Sequence, residues 1–94
     1  MTFDAELWRH DGNAAWFFVT APPDAHDKID AQAPFPRAGF GSVKVEATIG
    51  SSTFSTSVFP GKDGFVLPVK KQVRRAEGID DGDTVRVTLR VVTV

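Results

Sequence analysis

Residues 84–91 read Thr84-Val85-Arg86-Val87-Thr88-Leu89-Arg90-Val91. Every second side chain in this stretch is aliphatic, and each one between is a threonine or an arginine. This period of two is typical of a β-strand with one face in an apolar core and the other in water. The stretch therefore predicts a sheet with a buried side and a solvated side.

The same alternation occurs in the middle of the chain. Residues 43–49 alternate between aliphatic and polar side chains, and residues 54–58 resume the pattern after a break. A hairpin with residues 51–52 in its loop places Val45 opposite Val58. These segments predict two more antiparallel strands with their apolar sets on one face.

The first part of the chain predicts a hairpin that carries many of the aromatic residues. Asp11 and Gly12 form a two-residue turn signal between two strand-like segments. The facing pairs are then Leu7 with Trp16 and Ala5 with Phe18. Trp8, Phe17 and Val19 fall on the opposite face, which is so apolar that we expect another segment to cover it.

Two short helices are predicted between the strands. The first opens at Pro22 and Pro23, has Ala25 and Ile29 four residues apart, and is the candidate cover for that apolar face. The second starts at Pro68 and ends at a left-handed glycine cap. Its apolar residues and its cap are Val69, Val73, Ala76 and Gly78.

The predicted elements are six strands and two helices. The strands cover residues 3–8, 14–20, 43–49, 54–58, 65–67 and 84–91. Short strands separated by turns favour a closed barrel, because closure removes the edges through which a small sheet aggregates. We therefore predict an all-β fold with two short helices, a small closed β-barrel of about six strands.

Length, charge and cysteine content limit the class of protein. The chain has 94 residues, a net charge of -1 and no cysteine. Its length allows one domain, residues 1–94, and its charge gives no overall attraction to nucleic acid or to acidic membranes. The absence of cysteine excludes disulfides and fits a reducing compartment. With no signal sequence and no apolar run long enough to span a bilayer, we expect a cytoplasmic protein without a membrane partner.

Seven short segments stand in a fixed order along nearly the whole chain. They are Phe3-Asp4-Ala5, Trp16-Phe17-Phe18-Val19, Gly39-Phe40-Gly41-Ser42-Val43-Lys44-Val45, Phe54-Ser55-Thr56-Ser57-Val58, Leu67-Pro68-Val69-Lys70-Lys71, Val73-Arg74-Arg75-Ala76-Glu77-Gly78 and Gly82-Asp83-Thr84-Val85. This series resembles the bacterial family DUF1905, a domain of unknown function. The resemblance implies a double-split β-barrel, the barrel type of the AbrB and MazE transcription factors.

Two departures separate this chain from those regulators. They build the barrel from two short chains, whereas this chain is long enough to close one alone. They also contact DNA largely through basic residues of their hairpins, and here residues 53–65 contain one base, Lys62. The resemblance therefore implies the fold and carries over no DNA-binding residue.

The first candidate site is aromatic. Residues 34–41, rich in proline and glycine, carry Phe35, Arg37 and Phe40. The rings of Phe35, Phe40 and Trp16 can line a barrel mouth that holds a small planar ligand. Arg37 can orient a carboxylate or phosphate there. The alternative is that a domain of this size needs the rings as core.

The second candidate site is basic. It consists of Lys70, Lys71, Arg74 and Arg75, and the four-residue spacing places them on one helix face. Such a cluster can bind the phosphates of a nucleotide or of nucleic acid, with an affinity that falls as salt rises. The alternative is a solvated face whose cations pair with nearby carboxylates, those of Glu77, Asp80, Asp81 and Asp83.

The sequence contains no pattern of catalytic or metal-binding residues. His10 and His26 have no partner at metal-ligand spacing and are expected at the surface. We therefore predict a non-enzymatic module, with no cofactor and no metal, that binds a small molecule or a protein at the aromatic mouth. The alternative function is nucleic-acid binding or regulation through the basic cluster. The sequence leaves open whether the protein is a monomer or a homodimer.

Overall fold

A computed structural model describes residues 1–12, 15–33 and 41–93 of the chain. Within these residues, six strands and two helices confirm the predicted set. The strands are β1 (Thr2–His10), β2 (Trp16–Thr20), β3 (Val43–Ile49), β4 (Ser52–Gly61), β5 (Gly64–Pro68) and β6 (Thr84–Val91). The helices are α1 (Pro23–Gln32) and α2 (Lys71–Glu77).

The strands form one closed antiparallel barrel, which confirms the predicted fold. Their order is β1-β2-β5-β4-β3-β6, and β6 pairs back onto β1. Each helix lies at one end of the barrel. α1 connects β2 to β3 at the end where β5 begins, and α2 connects β5 to β6 at the opposite end.

The interior of the barrel is packed with side chains. In β6 every second residue from Val85 to Val91 is buried, and the threonines and arginines between them are exposed. β3 also buries every second residue from Val43 to Ile49, and Phe17 and Phe65 add two rings to the core. Because the interior is a solid core, a ligand site has to lie on the outer wall or at an end of the barrel.

The first hairpin has a longer connection than the Asp-Gly signal predicts. β1 ends at His10, which pairs with Trp16 at the start of β2, so residues 11–15 connect the two strands. Leu7 pairs with Val19. The predicted pairs, Leu7 with Trp16 and Ala5 with Phe18, are therefore wrong.

This change of register reverses which side chains of β2 face the interior, because it shifts the strand by an odd number of residues. Phe17 and Val19 point into the barrel, and Trp16 lies on the outer wall. The physical reason is packing in the interior. Val19 lies opposite Leu7 on one side and Leu67 on the other, and all three are at most 1% exposed.

The second hairpin keeps its predicted faces but turns one residue earlier. Val45 pairs with Thr56 instead of Val58, because Gly50 and Ser51 form the loop. A shift of two positions leaves each side chain on the same face. Gly50 adopts a φ of 58°, a left-handed conformation that costs glycine little.

α1 confirms the first predicted helix, although its role differs. Ala25 and Ile29 are buried and belong to the core, so α1 closes one end of the barrel. The face that it was expected to cover has a different composition, because Phe17 and Val19 point inward and Trp16 and Phe18 lie beside Trp8 on the outer wall. Within the described residues, neither helix has the length and apolar character needed to cross a membrane.

α2 begins later than predicted and ends where predicted. Pro68 is the last residue of β5 and pairs with Phe18, so it does not start the helix, which begins at Lys71. At the other end, Gly78 has a φ of 63°, and the amide of Ile79 donates to the carbonyl of Arg74 at 3.0 Å. This geometry is the left-handed cap that the glycine predicts.

Ion pairs join the outer faces of β1, β3 and β6. Arg86 donates to Asp4 at 3.0 Å across the β1–β6 pair, and Arg90 donates to Glu46 at 3.3 Å across the β3–β6 pair. The hydrogen bond from Arg86 lowers the pKa of the Asp4 carboxyl below its ordinary value. This part of the wall has the paired polar character of a solvated surface.

Candidate functional site

Two aromatic residues at the start of β2 face opposite sides of the barrel wall. Trp16 lies outside with 56% of its surface exposed, whereas Phe17 is buried inside. The opposite directions follow from the alternation of side chains along a strand. The exposed indole offers a flat apolar face on which a ring can pack.

Arg74 extends from α2 over the ring of Phe17. Its guanidinium carbon lies 3.7 Å from the centre of that ring, and its Nε donates to the carbonyl of Val69 at 3.3 Å. These two contacts hold the planar guanidinium in one orientation. Neither contact uses the two terminal nitrogens, which can bind a carboxylate or phosphate in a bidentate manner.

A groove of about 560 Å³ lies between the start of β2 and the start of α2. We call it the cationic groove, and its lining residues are Ala15, Trp16, Phe17, Pro68, Val69, Lys70, Lys71 and Arg74. Its walls are mainly apolar, and three side chains bring positive charge. Sites for small molecules have this size and this combination of apolar walls with a few polar groups. The groove can therefore hold a planar ring that carries an anionic substituent.

The cations of the cationic groove have no carboxylate partner among the described residues. The nearby acids bind other donors. Glu77 accepts from the amide of Ser51 at 3.1 Å and from the hydroxyl of Ser52 at 2.6 Å, and Asp81 accepts from the amide of Arg9 at 3.0 Å. The direct ion pairs that the solvated-face alternative included do not form between the cationic groove and these carboxylates among the described residues.

The structure joins two features that the sequence predicts as separate sites. The cationic groove contains one residue of the aromatic set and three of the basic set: Trp16, Lys70, Lys71 and Arg74. Arg75 is exposed but does not line the groove. Three residues of the aromatic set lie outside the described residues: Phe35, Arg37 and Phe40.

Four residues of the cationic groove were not predicted as site residues: Ala15, Phe17, Pro68 and Val69. Phe17, which supports Arg74, was expected on the outer face of the first hairpin. Pro68 and Val69 were expected in a helix. The alternation along β2 indicates that Phe17 and Val19 lie on the same face of the strand. Whether that face is the interior depends on the register of β2 with β1 and β5.

A second groove, of about 370 Å³, lies on the outer wall of the barrel. We call it the aromatic groove, and it is lined by His10, Trp16, Phe18, Phe59, Val66 and Pro68. The rings of Trp16 and Phe18 stack nearly parallel, with centres 6.3 Å apart and 10° between their planes. Phe59 is 37% exposed. The exposed apolar surface therefore extends from the cationic groove along the wall.

The histidines form no metal-binding cluster in the described part of the chain. His10 is exposed as expected. His26 is partly buried: its Nδ1 accepts a hydrogen bond from the amide of Phe65 at 3.2 Å, and its ring packs on the ring of Phe65. Among the residues that the structure describes, no group of three or more His, Cys, Asp or Glu side chains can hold a metal ion.

Comparison with known proteins gives one match that covers most of the chain. The family model described as "Domain of unknown function (DUF1905)" matches residues 3–89. No curated protein matches the chain. The matched range includes both helices, at least part of every strand and all residues of the cationic groove.

Proposed function

The chain belongs to the DUF1905 family, a domain of unknown function, and we propose that it is a non-enzymatic binding module for small planar anions. The proposed site is the cationic groove. The proposed ligand class is an aromatic or heteroaromatic ring that carries a carboxylate or a phosphate.

One observation carries this proposal: an exposed indole and an oriented guanidinium line the same groove. Trp16 offers a flat apolar face on which a ring can stack. Arg74, held by Phe17 and Val69, offers a pair of donors for the anionic group. Two exposed lysines add positive charge, and no described carboxylate forms an ion pair with them.

Several earlier expectations belong to this proposal and stay predictions. Phe35, Arg37 and Phe40 are proposed to contribute to the ligand site, and Arg75 to add to the positive field beside it. The chain is proposed to act as one domain over residues 1–94, since buried residues from Leu7 to Val91 form one core. A cytoplasmic location is proposed because the chain contains no cysteine.

A thermal-shift and calorimetric titration tests the proposal. Adenosine monophosphate and naphthoate, each a planar ring with an anionic group, should raise the melting temperature, since a ligand that binds only the folded state stabilises it. Trp16→Ala and Lys71→Ala should each weaken binding about tenfold, because each removes one stacking face or one charged donor.

Lys62→Ala is the matched control, because Lys62 is exposed in the turn between β4 and β5 and lies outside the groove. The affinity of Lys62→Ala for both probes should equal that of the unmodified protein. The proposal is contradicted if neither probe binds, or if the two groove variants bind as tightly as the control.

A further inference from the structure

A third groove connects the first two into one continuous surface. We call it the hydroxyl groove. It has a volume of about 610 Å³ and is lined by Lys44, Val45, Ser55, Thr56, Ser57, Phe59, Lys70 and Val92. It shares Lys70 with the cationic groove and Phe59 with the aromatic groove, and those two grooves share Trp16.

The lining of this joined surface is cationic. Four cationic side chains line it: Lys44, Lys70, Lys71 and Arg74. None of its described lining residues is acidic, although the chain has 12 Asp and Glu residues and a net charge of -1. The neighbouring groove beside Trp8, by contrast, is lined by Glu6 and Asp63. The joined surface therefore complements a polyanion in spite of the nearly neutral protein.

Exposed aromatic rings lie among these cations. Trp16 and Phe59 are 56% and 37% exposed, and Trp16 stacks on Phe18. Unpaired bases stack on such rings, while the cations bind the phosphates between the bases. A duplex keeps the faces of its bases stacked inside, so it cannot use exposed rings in this way. The combination of rings and cations thus favours a single strand over a duplex, and over an acidic peptide without rings.

We infer that the joined grooves bind a single-stranded nucleic acid. One base stacks on Trp16 with its phosphate at the cationic groove, and a following base stacks on Phe59 with its phosphate near Lys44. The hydroxyls of Ser55 and Ser57 line the same path and can bond to phosphate or sugar oxygens. The inference rests on the proposed function, because a nucleotide is itself a planar ring with an anionic group.

Fluorescence anisotropy with labelled homopolymers of about twelve thymidines or uridines tests the inference. If the strand makes about three or four phosphate contacts, raising the salt from about 50 mM to about 200 mM should lower its affinity on the order of 20- to 50-fold. A duplex of the same length and a poly-glutamate peptide of the same charge should each bind at least about tenfold more weakly, since neither offers unstacked bases.

Two variants separate the extended surface from the cationic groove. Phe59→Ala and Lys44→Ala should each weaken strand binding at least about fivefold. Neither residue lines the cationic groove, so the affinity for adenosine monophosphate should change much less. Lys62→Ala, outside all three grooves, is the control and should bind the strand normally. Lys44 is exposed on β3, so its variant keeps the test valid even if Phe59→Ala disturbs the fold.

Each outcome has one meaning. Equal binding of the duplex or of poly-glutamate overturns the inference, and so does unchanged strand affinity in Lys44→Ala. If adenosine monophosphate binds but the strand binds no more tightly, the inference fails and the proposed function stands. If the strand binds in a manner that depends on Lys44 but neither small probe binds, the strand-binding surface is supported and the small-anion function fails.

Discussion

At the scale of single residues, Gly50 and Gly78 show how surroundings decide the need for glycine. Both adopt a left-handed backbone, with φ values of 58° and 63°. A Cβ atom on Gly50 collides with the carboxylate of Glu77, whereas a Cβ atom on Gly78 meets no described atom within 4 Å. At Gly78 only the left-handed backbone favours glycine. At Gly50 the contact with Glu77 disfavours a side chain as well.

We predict that Gly50→Ala destabilises the protein more than Gly78→Ala. Gly78→Ala should lower the free energy of unfolding by about 1 kcal/mol, the cost of a left-handed alanine. Gly50→Ala should lose roughly a further 1 kcal/mol or more, because the carboxylate of Glu77 must leave Ser51 and Ser52. Urea denaturation measures both values, and equal losses would show that the contact with Glu77 is unimportant.

At the scale of elements, His26 attaches α1 to β5. Its Nδ1 accepts the amide of Phe65, and its ring packs on the Phe65 ring with centres 4.6 Å apart. Two other residues of α1, Ala25 and Ile29, insert into the core. The helix is therefore held at the end of the barrel by two buried side chains and by one side chain that combines a polar and an aromatic contact.

Two substitutions of His26 separate these contacts. His26→Phe keeps the ring but removes the acceptor, and we expect a loss of about 1 kcal/mol in the free energy of unfolding. His26→Asn can keep an acceptor but removes the ring, and a similar loss is expected from the aromatic contact. Thermal and urea unfolding give both values. If neither variant is less stable than the unmodified protein, His26 does not attach the helix.

At the scale of the whole molecule, closure depends on the pairing of β1 with β6. Asp4 and Arg86 bridge this pair on the outer face, and the hydrogen bond between them lowers the pKa of Asp4. The stabilisation is complete above the ordinary carboxyl pKa of about 3.9 and is lost as the pH falls through the lower pKa of the folded state. Since both side chains are exposed, the effect on stability is small.

The pKa of Asp4 should therefore report on its contact with Arg86 across the β1–β6 pair. In a titration of the carboxyl groups followed by nuclear magnetic resonance, we predict that Arg86→Thr raises the pKa of Asp4 toward about 3.9. Arg90→Thr is the control, because Arg90 pairs with Glu46 on β3 and should leave Asp4 unchanged. An equal pKa in the unmodified protein and in Arg86→Thr would contradict the pairing of these side chains.

Closure also explains why the candidate site lies where it does. The interior is filled, so the aromatic and cationic side chains that do not fit inside line the outer wall and the end near α2. There β2, β5 and α2 meet, although Trp16 and Arg74 are far apart in the chain. The cationic groove exists because the barrel brings these three elements together.

The sequence by itself determined the kind and order of the elements, the approximate places of the turns, and the closed barrel. Local patterns indicate these features: the alternation in β3 and β6, the glycine cap of α2 and the turn signals. Each such pattern acts within a few residues of the chain. Closure could be predicted because six short strands would otherwise leave exposed edges. Trp16, Lys70, Lys71 and Arg74 were each recognised as candidates by residue type.

Tertiary structure alone decided the register of the first hairpin and the composition of the site. A shift of an odd number of residues exchanges Trp16 for Phe17 in the core, and local signals at Asp11 and Gly12 do not show which ring the interior can hold. That choice depends on Leu7 and Leu67, which belong to other strands and fix the space available to β2. Packing between distant segments thus placed Phe17 beneath Arg74 and left the indole of Trp16 in the same groove.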